Sequence, residues 1–159
     1  MPDITTSPVV TRHPDNPVLA ADDCPYPATL VFNAGFCKYQ GRYVCVFRND
    51  VCAEGESNPH ETNLGLAFSE DGVKWEVTDK PCYSLQTDEI RRAYDPRLTV
   101  LDGRVYMCMA VDTRHGIRGG VAVTDDLAEA FSGAQVAVDL SAPEAAEQVA
   151  KTAGEARVP

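Results

Sequence analysis

The sequence is poor in most of the features that would tie a chain to a membrane, a metal or a nucleic acid. No apolar run approaches the roughly 20 residues that a membrane-crossing helix needs. The opening residues, Met1-Pro2-Asp3-Ile4, have no basic stretch leading into an apolar one, so no secretory leader is expected. Basic residues are scarce. The 14 Lys and Arg stand against 24 Asp and Glu, a formal net charge of −10. That balance argues against unaided binding to nucleic acid or to an anionic membrane surface, and neither partner is expected. There are three histidines, none at zinc-ligand spacing, and no pair of the six cysteines forms a C-x-x-C motif, so no metal site is expected. Cys45, within Tyr43-Val44-Cys45-Val46-Phe47, and Cys108, within Tyr106-Met107-Cys108-Met109, read as buried reduced thiols acting as small hydrophobes. A cytoplasmic location is the corresponding expectation.

What is present is β-structure. An apolar content of 44% over 159 residues suffices for one domain with a real core. Residues 1–28 hold six of the 11 prolines and read as an extended, irregular lead-in. Thr29-Leu30-Val31-Phe32 begins the strands and ends at Asn33-Ala34-Gly35. Phe36-Cys37-Lys38-Tyr39 follows, and Gln40-Gly41 turns the chain into a strand from Arg42 to Arg48. Asn49 to Glu61 reads as a polar loop. Leu64–Ser69 is a strand, Glu70-Asp71-Gly72 a turn, and Val73–Val77 a returning strand around Trp75. Residues 78–92 read as a second loop. Leu98–Leu101 and Arg104–Val111 are strands joined by Asp102-Gly103, Asp112–Arg118 is a polar loop, and Gly119–Thr124 is a further strand.

This pattern repeats. Gln40-Gly41-Arg42-Tyr43 matches Asp102-Gly103-Arg104-Val105 at an offset of 62, which also aligns Asn33 with Asp95. Leu64 to Asp71 matches Gly119 to Asp126 at an offset of 55. Short strands joined by tight turns are the pattern of a propeller blade, which typically spans about 40–50 residues. These units are longer, so each is read with a loop inserted on the binding face. A β-sandwich with duplicated hairpins is the alternative architecture. Ser141-Ala142-Pro143-Glu144 has capping-box form and opens an Ala-rich stretch, read as a short C-terminal helix. The chain thus divides into the lead-in at 1–28, two blades at 29–140, and a divergent helical tail at 141–159.

One stretch stands out chemically. In Tyr94-Asp95-Pro96-Arg97 a carboxylate is placed at the entrance to a strand beside a proline that stiffens the backbone, with a guanidinium next to it. Alone, it is an ordinary Asp-Pro turn with a surface arginine.

The ordered series Asn16-Pro17-Val18-Leu19, Phe32-Asn33-Ala34-Gly35, Val46-Phe47-Arg48-Asn49-Asp50, Leu66 to Trp75, and Tyr94-Asp95-Pro96-Arg97 resembles glycoside hydrolase family 130 over residues 16–127. That is a family of inverting β-mannoside phosphorylases with hydrolases in related branches. The resemblance implies an all-β fold, a five-bladed β-propeller of which this chain holds about two blades. It implies a glycosyltransferase that acts on β-1,4-mannosides with inorganic phosphate as co-substrate and no cofactor, giving α-mannose 1-phosphate and a free sugar. Asp95 matches the catalytic acid. Asn33 and Arg48 match residues that hold the cleaved sugar, Asp50, Tyr94 and Arg97 fall in the same pocket, and Arg114 matches a phosphate-binding arginine. After Ser141-Ala142-Pro143, the sequence Glu144-Ala145-Ala146-Glu147 departs from the family's basic phosphate segment.

A phosphorylase needs one acid rather than the acid–base pair of an inverting hydrolase, because phosphate arrives anionic and nucleophilic. Arginine suits phosphate through its planar, bidentate fork. Each assignment has an ordinary alternative. Asn33 suits an Asx turn, Arg48 a solvated strand end, Arg114 a surface loop, and Trp75 blade packing rather than a sugar platform. For the whole chain the alternatives are an inactive truncated copy or a carbohydrate-binding propeller module without turnover. Turnover by the 159-residue chain alone is not expected with part of the phosphate site missing, and open blade edges lead us to expect a homo-oligomer.

Overall fold

A computed structural model describes residues 9–127, and the expected helix at 141–159 lies outside the described residues. A short 3-10 turn at Ala21–Asp23 precedes seven strands: β1 (Leu30–Tyr39), β2 (Arg42–Cys52), β3 (Pro59–Ser69), β4 (Glu76–Val77), β5 (Ile90–Leu101), β6 (Arg104–Thr113) and β7 (Gly116–Thr124). They form two antiparallel meanders in consecutive order, β1-β2-β3-β4 and β5-β6-β7. Each meander holds one of the two sequence repeats, and the 9–28 stretch is irregular apart from the 3-10 turn.

The repeat is visible in the backbone. Gln40-Gly41 joins β1 to β2 with φ of 50° and 87°, and Asp102-Gly103 joins β5 to β6 with φ of 49° and 75°. Positive φ at both central residues is the hairpin turn that matches the twist of its strands. Apolar alternation then decides which face each strand buries. Val44 and Val46 of β2 and Leu64 and Leu66 of β3 meet Val105, Met107, Met109 and Val111 of β6, and this core lies between the sheets. Cys45, Phe47 and Ala67 point to the other face of the first sheet, where Leu19 and Cys24 of the lead-in and Trp75 cover them. Trp75 is thus a packing residue, tilted against Phe36 at 5.7 Å between ring centres.

Several expected loops are strand. β2 continues through Asn49 and Asp50 to Cys52, and β3 starts at Pro59, so only residues 53–58 form the connection. These polar residues have the composition of a loop but are paired rather than solvated. Asn49 donates to Asn63 Oδ1 at 3.0 Å, and Thr62 donates to Asp50 at 2.7 Å. The expected insertions at 49–61 and 112–118 are therefore extensions of the hairpins themselves. Likewise β5 begins at Ile90, which puts Asp95 in mid-strand and not at a strand entrance. Conversely, the strand expected at Val73–Val77 shrinks to Glu76–Val77. Asp71 Oδ1 accepts the N–H groups of Lys74 and Val73, both at 2.8 Å, which wraps those residues into the turn. These bonds hold the Asp71 carboxyl below the usual aspartate range.

The cysteines divide. Burial pushes the Cys45 and Cys82 thiols up to about 12, in keeping with small core hydrophobes. Cys108 is exposed, contrary to expectation, because the alternation that buries Met107 and Met109 turns it outward.

The sheets approach tightly at Gly35. A Cβ there would lie 2.8 Å from both Arg97 Cα and the Pro96 carbonyl oxygen, which are backbone atoms that cannot swing aside. Gly35→Ala is therefore expected to lower the unfolding free energy by about 2–3 kcal/mol. Gly41→Ala faces open space and meets only the cost of its positive φ, about 1 kcal/mol. Urea unfolding of both variants checks the order, and equal losses would contradict the close approach.

Candidate functional site

The site is built on two bulges. In β1 the register slips between Phe32 and Gly35, and in β5 it slips between Tyr94 and Arg97. At each slip a residue adopts the left-handed region, Asn33 with φ 49° and Asp95 with φ 57°. Asn and Asp are the side-chain-bearing residues that enter this region most readily, because their short polar groups bond locally. Pro96, fully buried, fills the second bulge position, where its missing N–H costs no ladder bond. A bulge re-aims a side chain out of the strict alternation of its strand. Here the two re-aimed side chains meet, and Asn33 Nδ2 donates to Asp95 Oδ1 at 3.0 Å. Arg97 reinforces the crossing, with Nη1 donating to the carbonyl oxygens of Asn33 at 3.1 Å and Pro96 at 2.7 Å.

Arg48, in the middle of β2, supplies a further cross-sheet contact. Its Nε and Nη2 donate to the two oxygens of Asp50 at 2.9 and 2.7 Å, and its Nη1 donates to Asp95 Oδ1 at 3.4 Å. Thr62 of β3 donates to Asp50 Oδ1 at 2.7 Å. The guanidinium lies 4.6 Å from the Phe32 ring centre and 4.9 Å from that of Tyr94. These two rings are repeat mates at the offset of 62. Burial works against the Arg48 charge, and its bonds to Asp50 and then Asp95 outweigh that, so its pKa is raised.

Exposure separates the roles. The Asp50 side chain is 3% exposed and that of Arg48 13%, whereas that of Asp95 is 32% exposed. Among the described residues, both hydrogen bonds to the Asp95 carboxylate end on Oδ1, which leaves Oδ2 as the oxygen open to a ligand. The arrangement is a half-exposed carboxylate oriented from one side by a neutral amide and a locked guanidinium. Such a group can accept from, or give a proton to, a hydroxyl placed at its open oxygen. Among the described residues, no three His, Cys, Asp or Glu side chains gather as metal ligands.

Of the residues singled out in the sequence, Asn33, Arg48, Asp50, Tyr94 and Asp95 form one connected cluster. Arg97 adjoins it with one guanidinium nitrogen committed to backbone carbonyls. Arg114 sits at the exposed turn between β6 and β7, its N–H donating to the Glu89 carbonyl at 3.1 Å, and takes no part in the cluster's contacts. Three contributors are not singled out by the sequence. Phe32 lay inside a quoted motif, and its repeat relation to Tyr94 was the available signal. Thr62 is found only from the β2–β3 register, which sets it opposite Asp50. Arg92, 5.2 Å from the Tyr94 ring centre, lay within a stretch read as loop.

Known proteins resemble this chain in sequence and in fold. The glycoside hydrolase family 130 model, described as β-1,4-mannooligosaccharide phosphorylase, matches residues 4–153. The 1,2-β-oligomannan phosphorylase of Thermoanaerobacter sp. (strain X514) is 31% identical over 99 residues, which are 60% of this chain and 33% of that protein. A solved member of the GH130 family of mannoside phosphorylases, from work on glycoside hydrolases that target β-1,2 mannosidic linkages in Candida mannan, superposes with a TM-score of 0.70 at 20% identity. The match covers 91% of this chain and 45% of that one. The β-1,2-mannobiose phosphorylase of Listeria innocua, solved with β-1,2-mannobiose, gives 0.64 at 16% identity over 84% and 52% of the two chains. The chain therefore has the fold of these enzymes and spans about a third of the curated relative and about half of the solved ones.

The buried half of the cluster can be tested by stability. Asp50→Ala leaves the Arg48 charge with its long contact to Asp95 as the one remaining ion pair beside the two rings and is expected to cost about 3 kcal/mol. Thr62→Val removes one hydrogen bond and is expected to cost about 1 kcal/mol. Denaturant unfolding reads both, and a loss below about 1 kcal/mol for Asp50→Ala would contradict the pairing.

Proposed function

Since the chain belongs to glycoside hydrolase family 130, we propose that it carries the acid side of a β-mannoside phosphorylase site, with Asp95 as the catalytic acid. The single observation behind this reading is the orientation of Asp95. A mid-strand bulge and two cross-sheet donors fix one carboxylate oxygen and leave the other open. Pre-set geometry of this kind is what a positioned proton donor requires. The mannosyl unit lies against Asn33, Tyr94 and Asp95. Asp95 gives its proton to the sugar's 3-hydroxyl, which passes its own proton to the bridging oxygen as the C1–O bond breaks. Phosphate attacks C1 from the opposite face, and the products are α-mannose 1-phosphate, inverted at C1, and a free sugar.

The same reading refines the roles of the other residues. Arg48 serves the sugar chiefly through Asp95 and Tyr94, because Asp50 occupies two of its nitrogens. Asp50, almost fully buried, sets Arg48 rather than touching substrate. Arg114 is a phosphate ligand on the strength of its motif alone. No cofactor is invoked; inorganic phosphate is the co-substrate. The family description favours a β-1,4 link and two relatives are named for β-1,2 links, so both linkages belong in the test.

The test is a chimera in which this chain replaces the matching segment of the Thermoanaerobacter phosphorylase, with circular dichroism to establish that it folds. Given β-1,4- or β-1,2-mannobiose, it is expected to release mannose 1-phosphate only when phosphate is present. Asp95→Asn is expected to lower turnover by about 10²–10⁴. Release of free mannose without phosphate would assign hydrolysis instead, and turnover unchanged by Asp95→Asn would overturn the assignment of the acid.

A further inference from the structure

A line of hydrogen bonds runs to Asp95 from a residue of β3. Thr62 stands opposite Asp50 in the β2–β3 register, and its hydroxyl donates to Asp50 Oδ1 at 2.7 Å. Arg48 Nε donates to that same oxygen at 2.9 Å, and Nη2 donates to the other at 2.7 Å. Arg48 Nη1 then reaches Asp95 Oδ1 at 3.4 Å. We propose that Thr62 is a positioning residue for the reaction at Asp95, fixing the Asp50 carboxylate and through it the aim of Arg48. The proposal rests on the reading of Asp95 given above.

The reason lies in which bonds can turn. The final torsion of an aspartate side chain is broad, so strand pairing fixes the Asp50 backbone without fixing the plane of its carboxylate. The two bonds from Arg48 do not fix that plane either, because guanidinium and carboxylate can turn together as one bidentate unit. The rings of Phe32 and Tyr94 attract the cation but form no directed bond along its edge. Thr62 supplies a third donor from a different strand, on a side chain that branching at Cβ keeps stiff. With it in place the carboxylate plane is set, and the guanidinium edge with it.

The last link is the one most sensitive to such a turn. At 3.4 Å the contact from Arg48 Nη1 to Asp95 is the longest bond in the line, and a hydrogen bond weakens steeply as its angle worsens. Among the described residues, Asn33 is the one other donor to the Asp95 carboxylate. Held by that bond alone, the carboxylate can rotate about its own final torsion, and Oδ2 loses its set place for a sugar hydroxyl. Thr62 acts without touching the sugar. Its single hydroxyl proton is committed to Asp50, a side chain only 3% exposed.

Two measurements test this. In the 159-residue chain, the NMR signal of the Arg48 Nε–H group reports the bond to Asp50. Thr62→Val keeps the shape and removes the donor, and is expected to shift and broaden that signal, while Thr62→Ser keeps it in place. In the chimera described above, Thr62→Val is expected to lower kcat per folded molecule by about tenfold, with KM for mannobiose within about twofold. Thr62→Ser is expected to stay within about threefold of the parent kcat. An Arg48 signal unmoved by Thr62→Val would overturn the link in the chain itself, whatever the chimera does. Equal kcat losses in Thr62→Val and Thr62→Ser would trace the effect to packing and overturn the assignment. A kcat unchanged by Thr62→Val but lost in Asp95→Asn would overturn the role of Thr62 and leave the reading of Asp95 standing. Turnover indifferent to Asp95→Asn would overturn both readings.

Discussion

Two left-handed residues facing each other across the seam between the sheets carry the polar centre of this molecule. Asn33 and Asp95 sit at equivalent bulges of the two sheets, and the bond between them at 3.0 Å ties one repeat to the next. The bulge interrupts the alternation that would otherwise hold Asp95 to one face of its sheet. The tight approach at Gly35 and the Arg97 bonds to the bulge carbonyls follow from the same crossing. Backbone strain of this kind, of order 1–3 kcal/mol per residue, persists when surrounding structure over-determines it. Here hairpin turns with positive φ lie a few residues beyond both bulges, and the apolar core between the sheets holds the strands on either side.

Around that crossing the charges are arranged in order of exposure. Asp50 is the most buried and takes Arg48 bidentately, and Thr62 holds Asp50 in turn. The guanidinium is confined between two aromatic rings that the repeat places in matching positions. A planar cation held along one edge by Asp50 and close to two rings has few rotamers left, so its remaining nitrogen is aimed at Asp95 before any ligand arrives. The outermost group, Asp95, is the one with an oxygen to spare. The gradient from fixed to free runs from the sheet interior to the seam, as expected of a site supported from behind.

Much of this was legible in the sequence. The Gln40-Gly41 and Asp102-Gly103 turns, the strand from Arg42, and the alignment of Asn33 with Asp95 all follow from local rules about φ and alternation. Their structural counterparts match in detail, down to the paired positive φ values. The clustering of Asn33, Arg48, Asp50 and Tyr94 around Asp95 was likewise expected from the motif series. The length of the hairpins was not legible. Asn49, Asp50 and Asp112 look like loop residues until their cross-strand partners are known, and such pairings between distant residues leave no local trace. Nor was the bulge at Asp95, since Asp-Pro more often marks a turn than a mid-strand kink. The exposure of Cys108 leaves no local trace for the same kind of reason. Its neighbours are apolar, but which side of β6 lies inside depends on how the second sheet packs on the first.

A crystal structure of the chain with mannose bound would test the central claim most directly, that the paired bulges form a sugar-binding acid site. If they do, the sugar ring lies at the seam with a hydroxyl about 2.6–3.2 Å from Asp95 Oδ2, while Asn33 and Arg48 remain on Oδ1. A sugar bound away from the seam, or an Asp95 side chain turned from Asn33 and both its oxygens free, would contradict it.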